Sequence, residues 1–219
     1  MADVIQRRKR RHALGDMMGA ALNYASLGWP VCRGAQPSLM GGRACGCDRI
    51  GCPDPGAHPV SAAWGMESTV DPETIRHWWT TTPAANIILP TGRVFDVFDI
   101  PAGAGVLALA RMDSMDMASG PVAAVEGRHL FFVATRSPVD EDEWWSCHLD
   151  CVPESVSDTP GLRWHCRDSY VLAPPSPLPS GTPASWIRAP RPDSHPTGLP
   201  DPLAVLDILS DACEEFTSA

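Results

Sequence analysis

The chain has 219 residues, 44% of them hydrophobic, enough to bury the core of one ordinary domain or of two small ones. Its formal net charge is −9, and five of its 17 basic residues crowd into Arg7–Arg11, so outside that run it lacks the basic footprint that neutralises nucleic-acid phosphates. No run approaches the ~20 apolar residues of a membrane span, and Asp16 interrupts anything that could serve as a secretion signal. The expected location is therefore cytoplasmic, with no membrane contact, and eight cysteines there point to thiols or a metal site rather than disulfides.

Residues 1–12 read as a basic, solvated tail. Residues 11–28 carry Leu14, Met18, Ala21 and Ala25 at helical spacing, with Gly28 as the stop. Trp29–Cys32 is a short strand candidate. Residues 33–60 are rich in Gly, Pro and Cys and have no hydrophobic period, so something other than a core must organise this loop. Asp71 caps a second helix with Pro72 at its first position, and Ile75, Trp78 and Trp79 follow. Asn86–Leu89 and Val94–Ile100 are strands separated by Thr91-Gly92, and Pro101–Met112 is an alanine-rich helix. Pro121–Val125 and His129–Ala134 pair as a hairpin across Glu126-Gly127. After an acidic stretch holding Trp144 and Trp145, Leu162–Cys166 and Tyr170–Ala173 are expected to pair with each other. The proline-rich residues 174–202 read as a surface wrap or linker. Leu203–Phe216 is a final amphipathic helix with Leu203, Leu206, Leu209 and Cys213 on one face. This alternation predicts an α+β fold with a mostly antiparallel sheet.

Two clusters have ligand chemistry. Cys45, Cys47, Cys52 and His58 place four soft or borderline donors within 14 residues, a tetrahedral zinc set with an unusually tight Cys-x-Cys start. Cys32 or His77 could replace one of them. A structural zinc would order a loop that has no core of its own; the alternative is a loose loop with free thiols. Cys147, His148, Cys151, His165 and Cys166 form a looser set without a fourth firm ligand, and buried thiols are the plainer reading. The tryptophan pairs 78–79 and 144–145 could stack bases, but core packing is the simpler role.

Several patterns, collinear over residues 14–176, carry a resemblance. They are an opening helix running into Gly28-Trp29-Pro30-Val31, then Cys45-Gly46-Cys47, Cys52 and Pro55-Gly56-Ala57-His58-Pro59. Asp71-Pro72-Glu73-Thr74-Ile75-Arg76-His77-Trp78-Trp79 follows, then Asn86-Ile87 leading to Thr91-Gly92 and an Asp-bearing strand. Ser169-Tyr170-Val171-Leu172-Ala173-Pro174-Pro175-Ser176 closes the series. Together they resemble the bifunctional DNA primase/polymerase domain of the archaeo-eukaryotic primase superfamily. The resemblance implies an RRM-like, mostly antiparallel sheet flanked by helices, with residues 13–176 as the domain, 177–202 as wrap or linker and 203–219 as a C-terminal helix.

It also implies a nucleotidyl-transfer site, in which clustered carboxylates hold Mg²⁺ or Mn²⁺. Asp99 falls at the first carboxylate position and Pro101 at the second; in a shifted register Asp96 stands first. Three residues apart on a strand, Asp96 and Asp99 face opposite ways. Arg163 stands at the third carboxylate position, and Ala57 where the family carries lysine. His129, flanked by Arg128, matches the nucleotide-contacting histidine. The catalytic candidates are thus Asp99, Asp96 and His129, and the nucleotide-binding candidates His129, Arg128 and Arg163.

The expected function is that of a primase/polymerase-like, replication-related protein with weak or lost catalysis. The alternatives are a non-catalytic module binding nucleotide, nucleic acid or protein, and a zinc-stabilised structural protein. The expected partners are DNA or RNA, nucleotides, and a protein of the replication or mobile-element type. The side chains gathered round Asp99 are what separate these readings.

Overall fold

The computed structural model describes residues 17–38, 45–47, 49–135, 154–155, 159, 161–194 and 196–218. In chain order the elements are α1 (helical residues 17–26), β1 (Cys32–Gly34), α2 (Trp64–Glu67), α3 (Pro72–Thr81), β2 (Asn86–Pro90), β3 (Phe95–Pro101), α4 (Ala102–Ser114), β4 (Val122–Val125), β5 (Arg128–Ala134), β6 (Glu154–Ser155), β7 (Arg163–His165), β8 (Tyr170–Leu172), β9 (Ser185–Arg188) and α5 (Pro202–Ser218). They fall into two compact units, Met1–Leu89 with Leu172–Ala184, and Pro90–Val171 with Ser185–Ala219. The expected α+β class, with antiparallel sheets and flanking helices, is what the chain forms.

In the first unit, α1 buries Met17, Ala21 and Tyr24, and Tyr24 stacks on the buried Trp29 at 6.1 Å. Gly28, at φ 78°, ends the helix by adopting a conformation that disfavours other residues. The Asp71 carboxylate accepts from the Thr74 N–H and caps α3, as its sequence requires. One face of α3 buries Ile75 and Trp79, whose indole N–H donates to the Ala85 carbonyl at 2.9 Å. Trp78 lies under the Arg33 guanidinium at 5.3 Å, so this tryptophan pair serves packing within the unit. β2 is buried along its whole length and is central in the order β1-β2-β8. Trp29–Cys32 is not itself the strand: pairing begins at Cys32, opposite Ile88, and Val31 makes an isolated bridge to Thr69.

The second unit is built on a six-stranded sheet in the order β6-β7-β3-β5-β4-β9, with β3 paired antiparallel on both sides. The Glu126-Gly127 hairpin forms as expected between β4 and β5. One sheet face presents Phe98, Ile100, Phe131, Val133 and Trp164 to Ala104, Ala108 and Met112 of α4 and to Val205, Leu209, Ala212 and Cys213 of α5. Asp201 Oδ1 accepts from the N–H groups of Leu203 and Ala204 and sets the phase of α5. That phase leaves Leu203 49% exposed, so the buried stripe runs through Val205 and Leu209 rather than through Leu203.

Two further expectations give way. Residues 163–165 and 170–172 do not pair with each other: β7 lies against β3, and β8 against β2. The turn between them is gripped by Thr91. The Thr91 hydroxyl donates to the Cys166 carbonyl at 2.6 Å, the Thr91 N–H to the Ser169 carbonyl at 2.9 Å, and Asp168 takes φ 60°. Within the supposed wrap, Ser185–Arg188 forms an edge strand on β4, too short and too half-exposed to show a period.

Thr91-Gly92 is therefore a clamp on the 166–169 turn. Gly92 sits at φ 81°, and a Cβ there would stand 2.1 Å from the Cα of Arg167 and 2.2 Å from its N. Backbone cannot yield as a flexible side chain can. Gly92→Ala is expected to cost roughly 3 kcal/mol or more, from left-handed strain and overpacking together. Urea unfolding of the variant against the parent chain checks this.

Candidate functional site

The described residues of the Cys-rich loop bring four donors together. One ligand atom each from Cys45, Cys47, Cys52 and His58 lies within 4.8 Å of all the others, and Cys45 Sγ is 3.4 Å from His58 Nε2. Donors around a tetrahedral zinc stand roughly 3.3–3.8 Å apart, given metal–ligand bonds of about 2.0–2.3 Å, so the set fits with a small contraction. His58 Nδ1–H donates to the Pro59 carbonyl at 2.8 Å. That bond fixes the tautomer and leaves the Nε2 lone pair facing the sulfurs, the usual outer support of a metal-binding histidine. Burial pushes the Cys45 thiol up, but the N–H groups of Cys47 and Gly56 and the side chains of His58 and Cys47 outweigh it and hold the thiol at about 6. Burial and the neighbouring sulfurs of Cys47 and Cys45 push Cys52 up to about 11, against the N–H of Asp54. When bound, zinc would supply a structural crosslink through these four side chains.

The loop is fastened to the sheet by Asn86, which sequence reading did not single out for this role. Its side-chain amide donates to the Gly56 carbonyl at 2.7 Å and to the Pro177 carbonyl at 2.9 Å, and the residue is fully buried. Gly34, opposite Asn86 in the β1–β2 register, leaves it room, since a Cβ there would lie 3.1 Å from Asn86 Cβ and 2.8 Å from Ile88 Cγ1. Ala35 N–H donates to the His58 carbonyl at 2.8 Å, and Gly34 bridges Pro59. The ligand His58 is thus positioned by strand-like pairing that its own sequence neighbourhood does not advertise. Neither Cys32, which is buried and pushed by that burial up to about 12, nor His77 belongs to the ligand set. In the second cluster, Cys166 is disulfide-bonded, which corrects the reading of buried thiols at that position. Cys147, His148 and Cys151 lie outside the described residues, as do Trp144, Trp145 and Arg7–Arg11.

In the other unit, Asp99 sits on β3 opposite Leu130 of β5 and Arg163 of β7, so these side chains share one face of the sheet. Arg128 Nε donates to Asp99 Oδ1, and its Nη2 donates to the Asp99 carbonyl at 3.0 Å and to the Gly161 carbonyl at 2.7 Å. His165 Nε2 is 3.5 Å and Arg163 Nη1 4.0 Å from Asp99 Oδ2. The Ser169 hydroxyl lies 3.1 Å from His165 Nδ1. With the hydroxyl donating to Nδ1, the Nε2–H faces the carboxylate. Pro101, opposite Arg128 on the same face, abuts Gly161, where a Cβ would come within 3.0 Å of the proline Cγ.

Asp96 and His129 are on the opposite face, against the helices. Trp164 donates its indole N–H to Asp96 Oδ2 at 3.2 Å. His129, opposite Ile100 and Ala124, lies under α4, where a Cβ on Gly105 would be 2.2 Å from its Nδ1. That nitrogen has no hydrogen-bond partner among the described residues, and burial pushes the imidazole pKa down. The structure therefore gathers Asp99, Arg128 and Arg163, and separates Asp96 and His129 from them. His165 and Ser169 join Asp99 instead. The two-residue strand period from Arg163 to His165 was the available signal for the histidine.

This donor set does not suit Mg²⁺ or Mn²⁺. Such ions need several hard oxygens, whereas the Asp99 oxygens face two guanidiniums and an imidazole. A unit positive charge ~4 Å from a guanidinium is repelled by roughly 4 kcal/mol at an effective dielectric of ~20, and a dication by twice that. Among the described residues, the Cys/His cluster is the one group of three or more His, Cys, Asp or Glu side chains close enough to share an ion. No described helix is long and apolar enough to cross a membrane.

A family model, bifunctional DNA primase/polymerase, N-terminal, matches residues 21–202. The match takes in both the Cys/His cluster and the Asp99 face, and stops where α5 begins. No curated protein matches the chain.

Chain purified without chelators is expected to carry one zinc, measured by elemental analysis. Protons compete for the same lone pairs, and at neutral pH binding must displace the Cys52 proton, so zinc affinity should fall as pH falls from 8 to 5. A competition titration across that range checks the sign. Asn86→Leu, which strips the donor from the buried Gly56 carbonyl and from the part-buried Pro177 carbonyl, is expected to weaken zinc binding about tenfold in the same titration.

Proposed function

Given that the chain belongs to the bifunctional DNA primase/polymerase N-terminal family, we propose that it is a member in which templated synthesis is weak or lost, retained as a nucleotide- and nucleic-acid-handling module. One observation carries this reading: Asp99, at the first carboxylate position, is engaged by Arg128 and faces Arg163 and His165 instead of further carboxylates. A two-metal mechanism uses closely spaced cations to bridge the attacking and leaving oxygens. Here the second carboxylate position is Pro101, packed on Gly161, and the third is Arg163. Both replacements act in the same direction. One removes a ligand, and the other puts a positive charge where a ligand would stand.

His129, which matches the nucleotide-contacting histidine by sequence, is buried with its ring against α4, on the face away from Asp99. Any nucleotide contact on the Asp99 face then falls to Arg128, Arg163 and His165. The Cys/His cluster acts in this reading as a structural zinc centre and takes no part in chemistry. The physiological setting that agrees with the family is replication or a mobile element, with a protein partner supplying what this chain lacks.

Primer extension with the purified full chain, a primed template, deoxynucleotides and Mg²⁺ or Mn²⁺ tests the proposal. Product at the level of a no-protein control is expected. Templated synthesis that disappears in Asp99→Ala would overturn the proposal.

A further inference from the structure

Three of the four donors in the Cys-rich loop are sulfurs, and a cysteine sulfur can itself be oxidised. The three are not equivalent. Cys45 is buried, whereas Cys47 and Cys52 are half-buried and meet solvent. The backbone beside Cys45 is pinned: the Gly46 N–H donates to the Gln36 carbonyl at 2.8 Å, and Pro37 bridges Cys45. The chain leading into Cys52 is not. Residues 49–51 are exposed, and a Cβ on Gly51 would meet nothing within 4 Å, so this stretch can shift without displacing a neighbour. The Cys47 and Cys52 sulfurs already lie within 4.8 Å of each other. A disulfide of about 2.05 Å asks each of them to move by roughly 1–1.5 Å.

We infer that Cys47 and Cys52 are a peroxide-sensitive pair, whose closure to a disulfide releases zinc and loosens the loop. The inference rests on the reading of the cluster as a structural zinc centre and goes beyond it. The oxidant is a hydroperoxide. The Cys47 thiolate attacks one peroxide oxygen: an S–O bond forms, the O–O bond breaks, and hydroxide leaves and takes a proton from solvent. The product is a sulfenic acid. The Cys52 thiolate then attacks that sulfur: the S–S bond forms, the S–O bond breaks, and a second hydroxide leaves and is protonated in the same way. Two electrons pass from the two sulfurs to hydrogen peroxide, which ends as two waters. Cys45 and His58 remain, two donors short of a tetrahedral set.

The other sulfurs are shielded from this reaction. Cys32 and Cys213 are buried, and burial pushes them up to about 12 and about 11, away from the thiolate that reacts. Cys166 is already disulfide-bonded. A Cys45–Cys47 bond would have to bend the chain at Gly46, which is pressed on Gln36: a Cβ there would stand 2.9 Å from Gln36 Cγ. The loop has no apolar core to fall back on, so the loss of order is local. The amides that hold it, Gly46 on the Gln36 carbonyl and Ala57 on the Asp54 carbonyl, should then exchange faster.

The test treats the zinc-loaded full chain with a molar excess of hydrogen peroxide. Zinc is followed with a chromogenic indicator, thiols by alkylation and peptide mapping, and backbone order by hydrogen exchange. One zinc per chain is expected to be released in step with the loss of two thiols. The map should show a Cys47–Cys52 crosslink, with Cys32 and Cys213 still open to alkylation after unfolding. Exchange at Gly46 and Ala57 should rise while the amides of β3 and β5 keep their rates. A dithiol reductant with fresh zinc should restore the starting state. Cys213→Ala should release zinc at the parental rate. Zinc retained while thiols are lost, a crosslink through Cys45 or Cys32 instead, or release that the dithiol and zinc do not reverse would each sink the inference. A chain that carries zinc and keeps it under peroxide loses this inference alone, whereas a chain purified without zinc loses the zinc centre and the inference together.

Discussion

A carboxylate in the middle of a sheet has to be answered by donors, because leaving a buried charge uncompensated costs several kcal/mol. Asp99 is 5% exposed on the strand at the centre of the larger sheet, and Arg128 answers it. The same guanidinium reaches the backbone of Asp99 and of Gly161, so one side chain ties β3, β5 and the turn that leads into β7. Registry across the three strands brings these side chains together on the Asp99 face. It also spends the carboxylate. An Asp99 that completes an ion pair with Arg128 is turned to structural use in the sheet.

The two units solve the problem of order differently. The second has a large apolar face, Phe98, Ile100, Phe131, Val133 and Trp164, and buries it under two helices. At roughly 25 cal/mol per Å² of apolar surface removed from water, such a face needs no further device. The loop of the first unit has no such face. It relies on three sulfurs and an imidazole brought within ligand range, on Asn86 reaching out from a fully buried strand, and on pairing along β1 that carries His58 to its place. A metal held by these four donors would couple the order of the loop to pH and to metal supply, whereas the sheet needs neither.

Much of the local structure was legible in the residues. The Asp71 cap, the Glu126-Gly127 hairpin and the spacing from Cys45 to His58 each encode their outcome within a few positions. So does the opposition of Asp96 and Asp99, since strand side chains alternate regardless of what surrounds them. Other features were not legible. Residues 163–165 and 170–172 looked like partners because they are close in sequence and similar in composition. The Thr91-Gly92 clamp, some 75 residues earlier, holds the turn between them so that they enter different sheets. His165 looked like part of a cysteine cluster and became a neighbour of Asp99. Leu203 looked buried until Asp201 set the phase of α5.

By itself, then, the sequence determined the longer helices, the strands of the central hairpin, the donor set of the Cys-rich loop, and the residue types that stand at Pro101 and Arg163. Those are properties of single segments, decided by residue type and by the periods of helix and strand. Only the tertiary structure decided what stands around Asp99. Arg128 and Arg163 reach it through register between strands distant in sequence, and His129 does not, because α4 packs on the other face and covers it. Register is set by burying both faces of the sheet at once, a condition that no single segment contains.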